Sequence, residues 1–275
     1  MQVFYTPDIA SNTYSLSEEE ARHCLKVLRL KKGDEIHLTN GKGNLYKSQI
    51  THIDKNSCEV EVIETFQEYG KRNHYLHIAI APTKNSDRFE WFLEKATEIG
   101  IDEITPLICE RSVKEKLRFD RLNKIITSAV KQSLKAYHPK LNEALDYKDF
   151  MTLSLPIAIG TPLQKGVSVG VPRTSFGQKR WESTKLIAHC YNTTDGYLNQ
   201  HLAKTVSTPL SEELLLEEKL GRAFLILIGP EGDFTPQEIE LALKNEFIPI
   251  SLGKSRLRTE TAGLYACTII NSVNE

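Results

Sequence analysis

The sequence predicts an α/β protein, a parallel sheet with helices on both faces, preceded by a small β-barrel-like domain. Two observations support this fold class. The first 70 residues read as short strands separated by turn residues, whereas apolar strands and amphipathic helices alternate from Tyr75 onward. Near the C-terminus, two strands each run through a glycine-containing turn into a helix, and ligands bind at such carboxyl ends of parallel strands.

The N-terminal domain is assigned to residues 1–70, and the polar segment 67–73 is predicted to link it to the rest of the chain. Its single helix is expected to begin after Ser17, which has the spacing of a capping box with Glu20. Asn40-Gly41 and the following Lys42-Gly43 predict a tight turn between two strands. The predicted strands are Val3–Tyr5, Glu35–Thr39, Asn44–Ile53 and Glu59–Phe66.

The second domain is assigned to residues 74–275. Apolar residues at helical spacing predict one helix from Phe89 to Ile99, ended by Gly100, and another from Leu122 to Val130. The stretch 161–184 shows no period and is predicted to be a mobile loop or local insertion. The predicted strands are Leu76–Ala81, Ile104–Ile108, Ile157–Ile159, Lys185–Cys190, Ala223–Ile228 and Phe247–Leu252.

Bulk composition narrows the class of protein. The chain of 275 residues carries a net charge of −1, and no apolar run reaches the ~20 residues that a membrane helix needs. The N-terminus lacks the basic and apolar regions of a signal peptide. Five dispersed cysteines without a Cys-x-x-Cys pair indicate reduced thiols and argue against a zinc site. We therefore expect a cytoplasmic protein that binds neither membrane nor metal.

The two late turns carry the strongest functional signal. Gly229-Pro230-Glu231-Gly232-Asp233 follows an apolar strand, and both glycines permit φ values that other residues resist and allow a ligand to lie against the backbone. The helix after this turn has Thr235 as its N-cap, Pro236 at its first position and Glu238 completing a capping box. The second turn follows Leu252-Gly253 and leads into a helix near Thr259. The two junctions predict one shared ligand pocket.

Other nucleotide-binding motifs are absent from the sequence. It contains no Gly-x-Gly-x-x-Gly turn and no Gly-x-x-x-x-Gly-Lys-Ser/Thr phosphate loop, which argues against a Rossmann enzyme or an NTPase. His189 and Cys190 end a neighbouring predicted strand, and they either line the same pocket or are buried structural residues.

The two turns are Gly229-Pro-Glu-Gly-Asp-Phe and Leu252-Gly-Lys-Ser-Arg-Leu-Arg-Thr-Glu-Thr-Ala. They resemble the knot motifs of the bacterial 16S ribosomal RNA uridine-N3 methyltransferases, which belong to the SPOUT superfamily. Shorter matches run in order over nearly the whole chain. They are Arg22–Arg29, Gly33-Asp34, Lys84–Arg88, Glu94–Gly100, Glu110–Ser112, Gln132-Ser133 and Pro139. The chain departs from the family at Lys135, where arginine is expected, and at Asp233, where glycine is expected, which suggests that the turn needs no glycine there.

The resemblance implies a PUA-like RNA-binding N-terminal domain, a C-terminal trefoil knot, a homodimer, and S-adenosyl-L-methionine as the cofactor. Backbone groups of Gly229–Gly232 would contact the adenine and ribose, and Leu252 and Leu257 would flank the adenine beside Gly253. The full predicted cofactor set is His189, Ile228, Gly229, Pro230, Glu231, Gly232, Leu252, Gly253, Leu257, Arg258 and Thr259.

Methylation of uridine N3 requires loss of an imide proton and stabilisation of the resulting anion. Arg258 is the predicted stabilising group, since its guanidinium is always charged and cannot act as a base. Glu231 or Glu260 is predicted to accept the proton. Glu260 has an alternative role, in which it caps the helix or pairs with Arg258.

RNA contacts are predicted at basic positions, although the overall charge does not indicate nucleic-acid binding. Nine Lys or Arg stand against two acids between Arg111 and Lys140, a run that is either a solvated helix face or a phosphate-binding surface. Cations at the start of the helix near Lys84 suggest an anionic partner. The predicted RNA-binding residues are Arg22, Lys26, Arg29, Lys84, Arg88, Arg111, Lys131, Gln132 and Lys135.

The sequence as a whole predicts an enzyme that methylates N3 of a uridine in 16S ribosomal RNA, in the assembled small subunit. Two alternatives stay open: a SPOUT methyltransferase acting on ribose 2′-oxygen or transfer RNA, and a non-catalytic RNA-binding protein of the same fold. The sequence does not identify the nucleotide, the general base or the state of the RNA substrate.

Overall fold

The computed structural model describes residues 1–54, 57–113, 117–153, 180–190, 198 and 220–274. The chain divides into two compact units, Met1–Lys71 with Asn123–His138, and Arg72–Leu122 with Pro139–Glu275. Residues Asn123–His138 thus belong with the first unit, although they lie within the range assigned to the second domain from the sequence. No helix among the described residues is long and apolar enough to cross a membrane.

The first unit is built around a five-stranded sheet in the order β1-β3-β4-β5-β2, with β1 and β3 parallel and the other pairs antiparallel. Its core contains the fully buried Phe4, Leu38 and Val60. A π-helix, His23–Val27, continues the first helix. The elements are β1 Val3–Tyr5, β2 Thr13–Ser15, α1 Glu18–Arg22, β3 Glu35–Thr39, β4 Leu45–Ile53 and β5 Cys58–Phe66.

The capping box predicted at α1 is only half formed. Ser17 Oγ accepts a hydrogen bond from the Glu20 N–H at 3.3 Å, as expected for an N-cap. The Glu20 carboxylate does not complete the box, because it pairs with Lys131 Nζ at 2.8 Å. One of the predicted RNA-binding cations therefore has a partner within its own unit.

The predicted turn between β3 and β4 explains how Asn123–His138 packs with the first unit. Gly41 and Gly43 have φ of +71° and +100°, and a Cβ on Gly43 would overlap the Tyr137 ring. The Gly43 N–H donates to the Ala136 carbonyl, and the His138 N–H donates to the Gly41 carbonyl, both at 2.9 Å. The turn glycines thus create a backbone contact with a segment almost a hundred residues later.

The second unit contains a parallel sheet in the order β12-β10-β11-β6-β7-β8, with β9 paired to β7, and helices packed against it. Its strands are β6 His74–Ile80, β7 Glu103–Ile108, β8 Lys140–Leu141, β9 Leu145–Asp146, β10 Arg180–Ala188, β11 Leu220–Ile228 and β12 Ile248–Ile250. The helices of this unit are α2 Ser86–Ile99, α4 Tyr147–Leu153, α5 Pro236–Lys244 and α6 Thr259–Asn274. Helix α3, Phe119–Gln132, belongs to the first unit from Asn123 onward. The predicted α/β fold is therefore confirmed, and the trefoil knot stays a prediction.

One predicted boundary is wrong. Residues 180–184, assigned to a loop, form the start of β10, because this strand pairs with β11 along its whole length from Arg180 to Ala188. The remainder of the predicted loop lies outside the described residues, as do the predicted strand at Ile157–Ile159 and most of the link to β11.

The amino edge of this sheet carries a network of bonded charges. Glu103, at the start of β7, is buried and accepts hydrogen bonds from the Tyr75 hydroxyl at 2.5 Å and from Asn142 Nδ2 at 2.6 Å. Lys140 Nζ lies 3.1 Å from the same carboxylate. The neighbouring Asp102 pairs with Arg72 at 2.5 Å and accepts from the Leu76 N–H at 2.7 Å. This edge is held by side chains that bond mainly to one another and in part to the strand backbone.

Candidate functional site

A cavity of about 800 Å³ lies at the carboxyl edge of the parallel sheet. The sheet register creates it: Ala188 pairs with both Ile228 and Ile250, so β10, β11 and β12 end level with one another. The segments that follow these strands leave the sheet side by side and surround a common space. The lining residues are Ala188, His189, Cys190, Ile228, Gly229, Pro230, Glu231, Asp233, Ser251, Leu252, Gly253, Lys254, Ser255, Arg256, Leu257, Thr259 and Ala262.

The turn after β11 is closed by a hydrogen bond from the Asp233 N–H to the Pro230 carbonyl at 2.9 Å. Neither Gly229 nor Gly232 has a positive φ, so the conformational freedom that these glycines permit is not used. Asp233 takes the left-handed conformation instead, with φ of +62°. Glycine at position 229 is favoured by close packing. A Cβ there would lie 3.1 Å from the buried Phe234 ring and 3.2 Å from the Phe234 backbone nitrogen.

The helix after this turn begins as predicted. Thr235 Oγ1 accepts from the Glu238 N–H at 3.3 Å, and the Glu238 carboxylate accepts from the Thr235 N–H at 2.7 Å. Glu238 also accepts from the Glu110 N–H at 2.8 Å, and the adjacent Arg111 donates to the Gly232 carbonyl at 2.7 Å. The segment after β7 is thereby fastened to the turn that forms the cavity.

The second turn is joined to the first by Thr259, whose hydroxyl donates to the Gly229 carbonyl at 3.0 Å. Gly253 has φ of +130°, and no atom lies within 4 Å of the position of a Cβ on it. Here glycine does permit a conformation that other residues resist. The half-buried Leu252 and Leu257 supply apolar surface to the cavity.

The segment after β10 forms a third wall. His189 and Cys190 both line the cavity, as the first of the two alternatives for these residues predicts. The Cys190 N–H donates to Asp233 Oδ2 at 2.8 Å. Partial burial and the nearby Asp233 carboxylate raise the pKa of the Cys190 thiol. A raised pKa keeps this thiol protonated at neutral pH, which makes it a poor nucleophile.

The charged residues of the cavity differ in part from those predicted. Glu231 lines it, and its carboxylate accepts a hydrogen bond from the Lys84 N–H at 3.0 Å. Arg256 also lines it and donates to the Glu231 carbonyl at 3.3 Å. Arg258 is exposed and is absent from the lining, as is Gly232; the Arg258 carbonyl accepts from the Ala262 N–H in the first turn of α6.

Glu260, the other predicted proton acceptor, lies away from the cavity lining. Its side chain is buried, and one oxygen lies 3.9 Å from Arg88 Nε. The second oxygen has no hydrogen-bond partner within the part of the chain that the structure describes. The charge partner is therefore Arg88 rather than Arg258, and Arg88 is a cation that the sequence suggested for RNA.

The remaining predicted RNA-binding residues fall into two groups. In the first unit, Arg22 pairs with Glu18 at 3.0 Å, whereas Lys26, Arg29 and Gln132 are exposed and Lys135 is half-buried. In the second unit, Lys84 is exposed just before α2. Two further cations of the basic run also have carboxylate partners, since Arg121 pairs with Glu90 and Lys140 with Glu103. Four cations of the run, Arg111, Arg121, Lys131 and Lys140, are thus bonded to other groups of the protein.

Comparison with known families identifies the class of protein. A family model described as an RNA methyltransferase domain matches residues 71–159 and 179–271 of the sequence. A second family model, described as an RNA methyltransferase PUA domain, matches residues 16–63. The chain belongs to this RNA methyltransferase family.

Individual relatives are similar over nearly their full length. Ribosomal RNA small subunit methyltransferase E of Bacillus subtilis is 27% identical over 270 residues, covering 96% of this chain and 91% of the relative. A structure described as a probable rRNA-methyltransferase from Porphyromonas gingivalis is 36% identical, with a TM-score of 0.76 over 100% of this chain and 98% of the other. The Neisseria gonorrhoeae small subunit methyltransferase E, bound to S-adenosyl methionine, is 25% identical, with a TM-score of 0.75 over 99% and 97%. These relatives confirm the family predicted from the motifs.

Sequence reasoning missed several lining residues, above all Arg256 and Asp233. The sequence does contain an indication for Asp233, because it stands where the family resemblance predicts glycine. A residue with a side chain at such a position needs hydrogen bonds that offset the backbone strain. Arg256 lies two positions before Arg258, which was predicted to stabilise the anion. Nothing in the sequence distinguishes which of the two side chains faces the cavity.

Proposed function

We propose that this chain transfers the methyl group of S-adenosylmethionine to N3 of a uridine in 16S ribosomal RNA of the small subunit. The observation that carries the proposal is the cavity built from two strand-to-helix junctions at the carboxyl edge of the sheet. The relatives named ribosomal RNA small subunit methyltransferase E support the rRNA substrate, and the cofactor-bound Neisseria gonorrhoeae structure supports the cofactor.

The residues of the cavity fit S-adenosylmethionine. A volume of about 800 Å³ lies within the usual range for cofactor sites. Ile228, Leu252 and Leu257 offer apolar surface for an adenine ring. When bound, this cofactor supplies a methyl group on a positively charged sulfur.

Among the protein groups, Glu231 is the better proton acceptor for the uridine imide. Its carboxylate lines the cavity and is held by the Lys84 N–H, whereas Glu260 is buried beside Arg88. Proton transfer requires the base to come within hydrogen-bond reach of the substrate, which favours Glu231.

An arginine of the second turn stabilises the uracil anion. Arg258 was predicted for this role, and Arg256 has the position in the cavity wall that the role requires. Because the negative charge forms only as the proton leaves, a cation placed here lowers the barrier more than it strengthens binding of the uncharged base.

RNA binding is assigned to the N-terminal PUA domain together with exposed cations such as Lys26 and Arg29. The PUA match and the RNA methyltransferase match support this assignment. The enzyme acts as a cytoplasmic homodimer on the assembled small subunit, as the family resemblance implies.

Two measurements test the function. Calorimetry with S-adenosylmethionine separates an enzyme from a non-catalytic RNA-binding protein, which would not bind the cofactor. Mapping of methylated nucleosides in a strain that lacks the gene identifies the product. Loss of 3-methyluridine from 16S rRNA is expected, whereas loss of a ribose 2′-O-methyl group or of a transfer RNA modification would contradict the N3 assignment.

Two basic residues of the first unit provide a matched pair for the RNA-binding part of the proposal. Lys26→Ala is expected to reduce the slope of log affinity against log salt by roughly one, as for one lost phosphate contact, because Lys26 is exposed. Lys131→Ala is expected to leave that slope unchanged, because Lys131 is paired with Glu20. Salt titrations of rRNA binding measure both slopes, and equal slopes in all three proteins would remove Lys26 from the RNA-binding surface.

A further inference from the structure

Asp233 has a backbone conformation that is uncommon for residues other than glycine. Five residues other than glycine have a positive φ within the described part of the chain, and Asp233 is the one of them that lines the cavity. The left-handed conformation is unfavourable for any residue with a side chain, and aspartate tolerates it only because its carboxylate can bond to nearby backbone groups. The bonds that Asp233 makes therefore indicate what offsets this strain.

The Asp233 carboxylate joins two segments that leave the sheet from adjacent strands. Oδ2 accepts from the Cys190 N–H, and Oδ1 accepts from the Phe234 N–H, both at 2.8 Å. The ladder between β10 and β11 ends at the pair Ala188 and Ile228. The bond to Cys190 thus continues the connection between these strands beyond the last ladder pair, at the point where they open into the cavity.

We propose that Asp233 is a positioning residue for the cofactor, which holds the His189–Cys190 wall against the Pro230–Asp233 turn. This inference rests on the proposed binding of S-adenosylmethionine. Glycine would adopt the same φ without strain, but it could form neither bond. A charged acceptor on a backbone N–H makes a stronger bond than a neutral one, so the carboxylate gives the wall a fixed distance from the turn.

Two variants and a matched control test the inference. Asp233→Gly relieves the backbone strain and removes the tether, whereas Asp233→Asn keeps one neutral acceptor. Glu246→Gly is the control, because Glu246 has φ of +65° in the exposed turn between α5 and β12 and does not line the cavity. Calorimetry with S-adenosylmethionine, the thermal midpoint, and hydrogen exchange of the Cys190 amide in the free protein are measured for each.

Asp233→Gly is expected to weaken cofactor affinity by about tenfold, the equivalent of one charge-assisted hydrogen bond, without a lower thermal midpoint. Exchange of the Cys190 amide should accelerate, and Asp233→Asn should give intermediate values. Glu246→Gly should leave both affinity and exchange unchanged. A cofactor affinity in Asp233→Gly equal to that of the wild type would overturn the inference, as would a lowered midpoint with unchanged affinity. If the wild-type protein fails to bind the cofactor, the proposed function is wrong, while exchange at Cys190 still tests the tether.

Discussion

The two edges of the parallel sheet use charged residues differently. At the amino edge, most partners are side chains: Glu103 bonds to Tyr75 and Asn142, and Asp102 bonds to Arg72 as well as to the Leu76 N–H. At the carboxyl edge, charged side chains bond to backbone groups: Asp233 to two N–H groups, Glu231 to one, and Arg256 to a carbonyl.

This difference separates stability from function within one sheet. Side chains that satisfy one another's hydrogen-bonding groups hold strands together and expose little charge to a ligand. Side chains that bond to the backbone of turns fix the shape of those turns and keep their own charge at the surface of the cavity. We therefore expect substitutions at the amino edge to change the free energy of unfolding, and substitutions at the carboxyl edge to change binding or turnover.

The largest effect is expected from the arginines of the second turn. The double substitution Arg256→Ala with Arg258→Ala should lower the single-turnover rate by about two to three orders of magnitude, as for loss of an anion-stabilising donor. Little change in thermal midpoint is expected, because both side chains are exposed. The single-turnover rates of the two single variants show how much each arginine contributes to the effect. Normal turnover in the double variant would remove this turn from catalysis.

At the amino edge, Glu103→Ala should lower the free energy of unfolding by about 3 kcal/mol, because the Tyr75 hydroxyl and the Asn142 amide lose a charged acceptor. Glu103→Gln should recover part of this loss. Urea denaturation measures the change, and calorimetry with cofactor should show unaltered affinity. Weakened cofactor binding in folded Glu103→Ala would break the separation between the two edges.

His74, at the start of β6, makes the amino edge sensitive to acid. Burial and the nearby Arg72 lower the pKa of His74 to about 4. Between pH 6.5 and 4 the histidine of the unfolded chain binds a proton more readily than that of the folded protein, so acid favours unfolding. The contribution of His74 to the free energy of unfolding is therefore constant above pH 6.5 and decreases as the pH falls toward 4. By pH 5 the loss should reach about 2 kcal/mol. His74→Gln should flatten this part of the stability profile, and an unchanged profile would contradict the assignment.

The smallest pair of effects compares two glycines of the cavity. Gly253→Ala should weaken cofactor binding by roughly tenfold, because the position is open but strained for any side chain. Gly229→Ala should instead destabilise the protein by about 1–2 kcal/mol, because its Cβ would press on the Phe234 ring. Calorimetry and thermal unfolding of both variants distinguish these outcomes. A stable Gly229→Ala protein with weakened binding would reverse the second assignment.

Local patterns in the sequence predicted much of this architecture. Apolar runs located β6, β7, β11 and β12, and the spacing of Thr235 and Glu238 located the start of α5. These features depend on neighbours a few residues apart. The cavity was predictable for the same reason, since the carboxyl ends of parallel strands meet at one edge of a sheet.

Features that depend on how the turns and their side chains pack in three dimensions were not predictable in the same way. The need for glycine at position 229 comes from the Phe234 ring, and the left-handed backbone at 233 is compensated by the Cys190 N–H. Whether Arg256 or Arg258 faces the cavity depends on the residue at which α6 begins. Glycine in a sequence shows that a conformation is allowed, and only the surrounding atoms show whether it is used.

The membership of Asn123–His138 in the first unit has a consequence for biosynthesis. A chain cut after Lys71 would lack the Ala136 carbonyl and the His138 N–H that bond to the Gly41–Gly43 turn. During translation, completion of this unit must wait until His138 has emerged, 67 residues after Lys71 (138 minus 71). At roughly 5–20 residues per second, this interval lasts several seconds, in which the β3–β4 turn is exposed to chaperones and proteases.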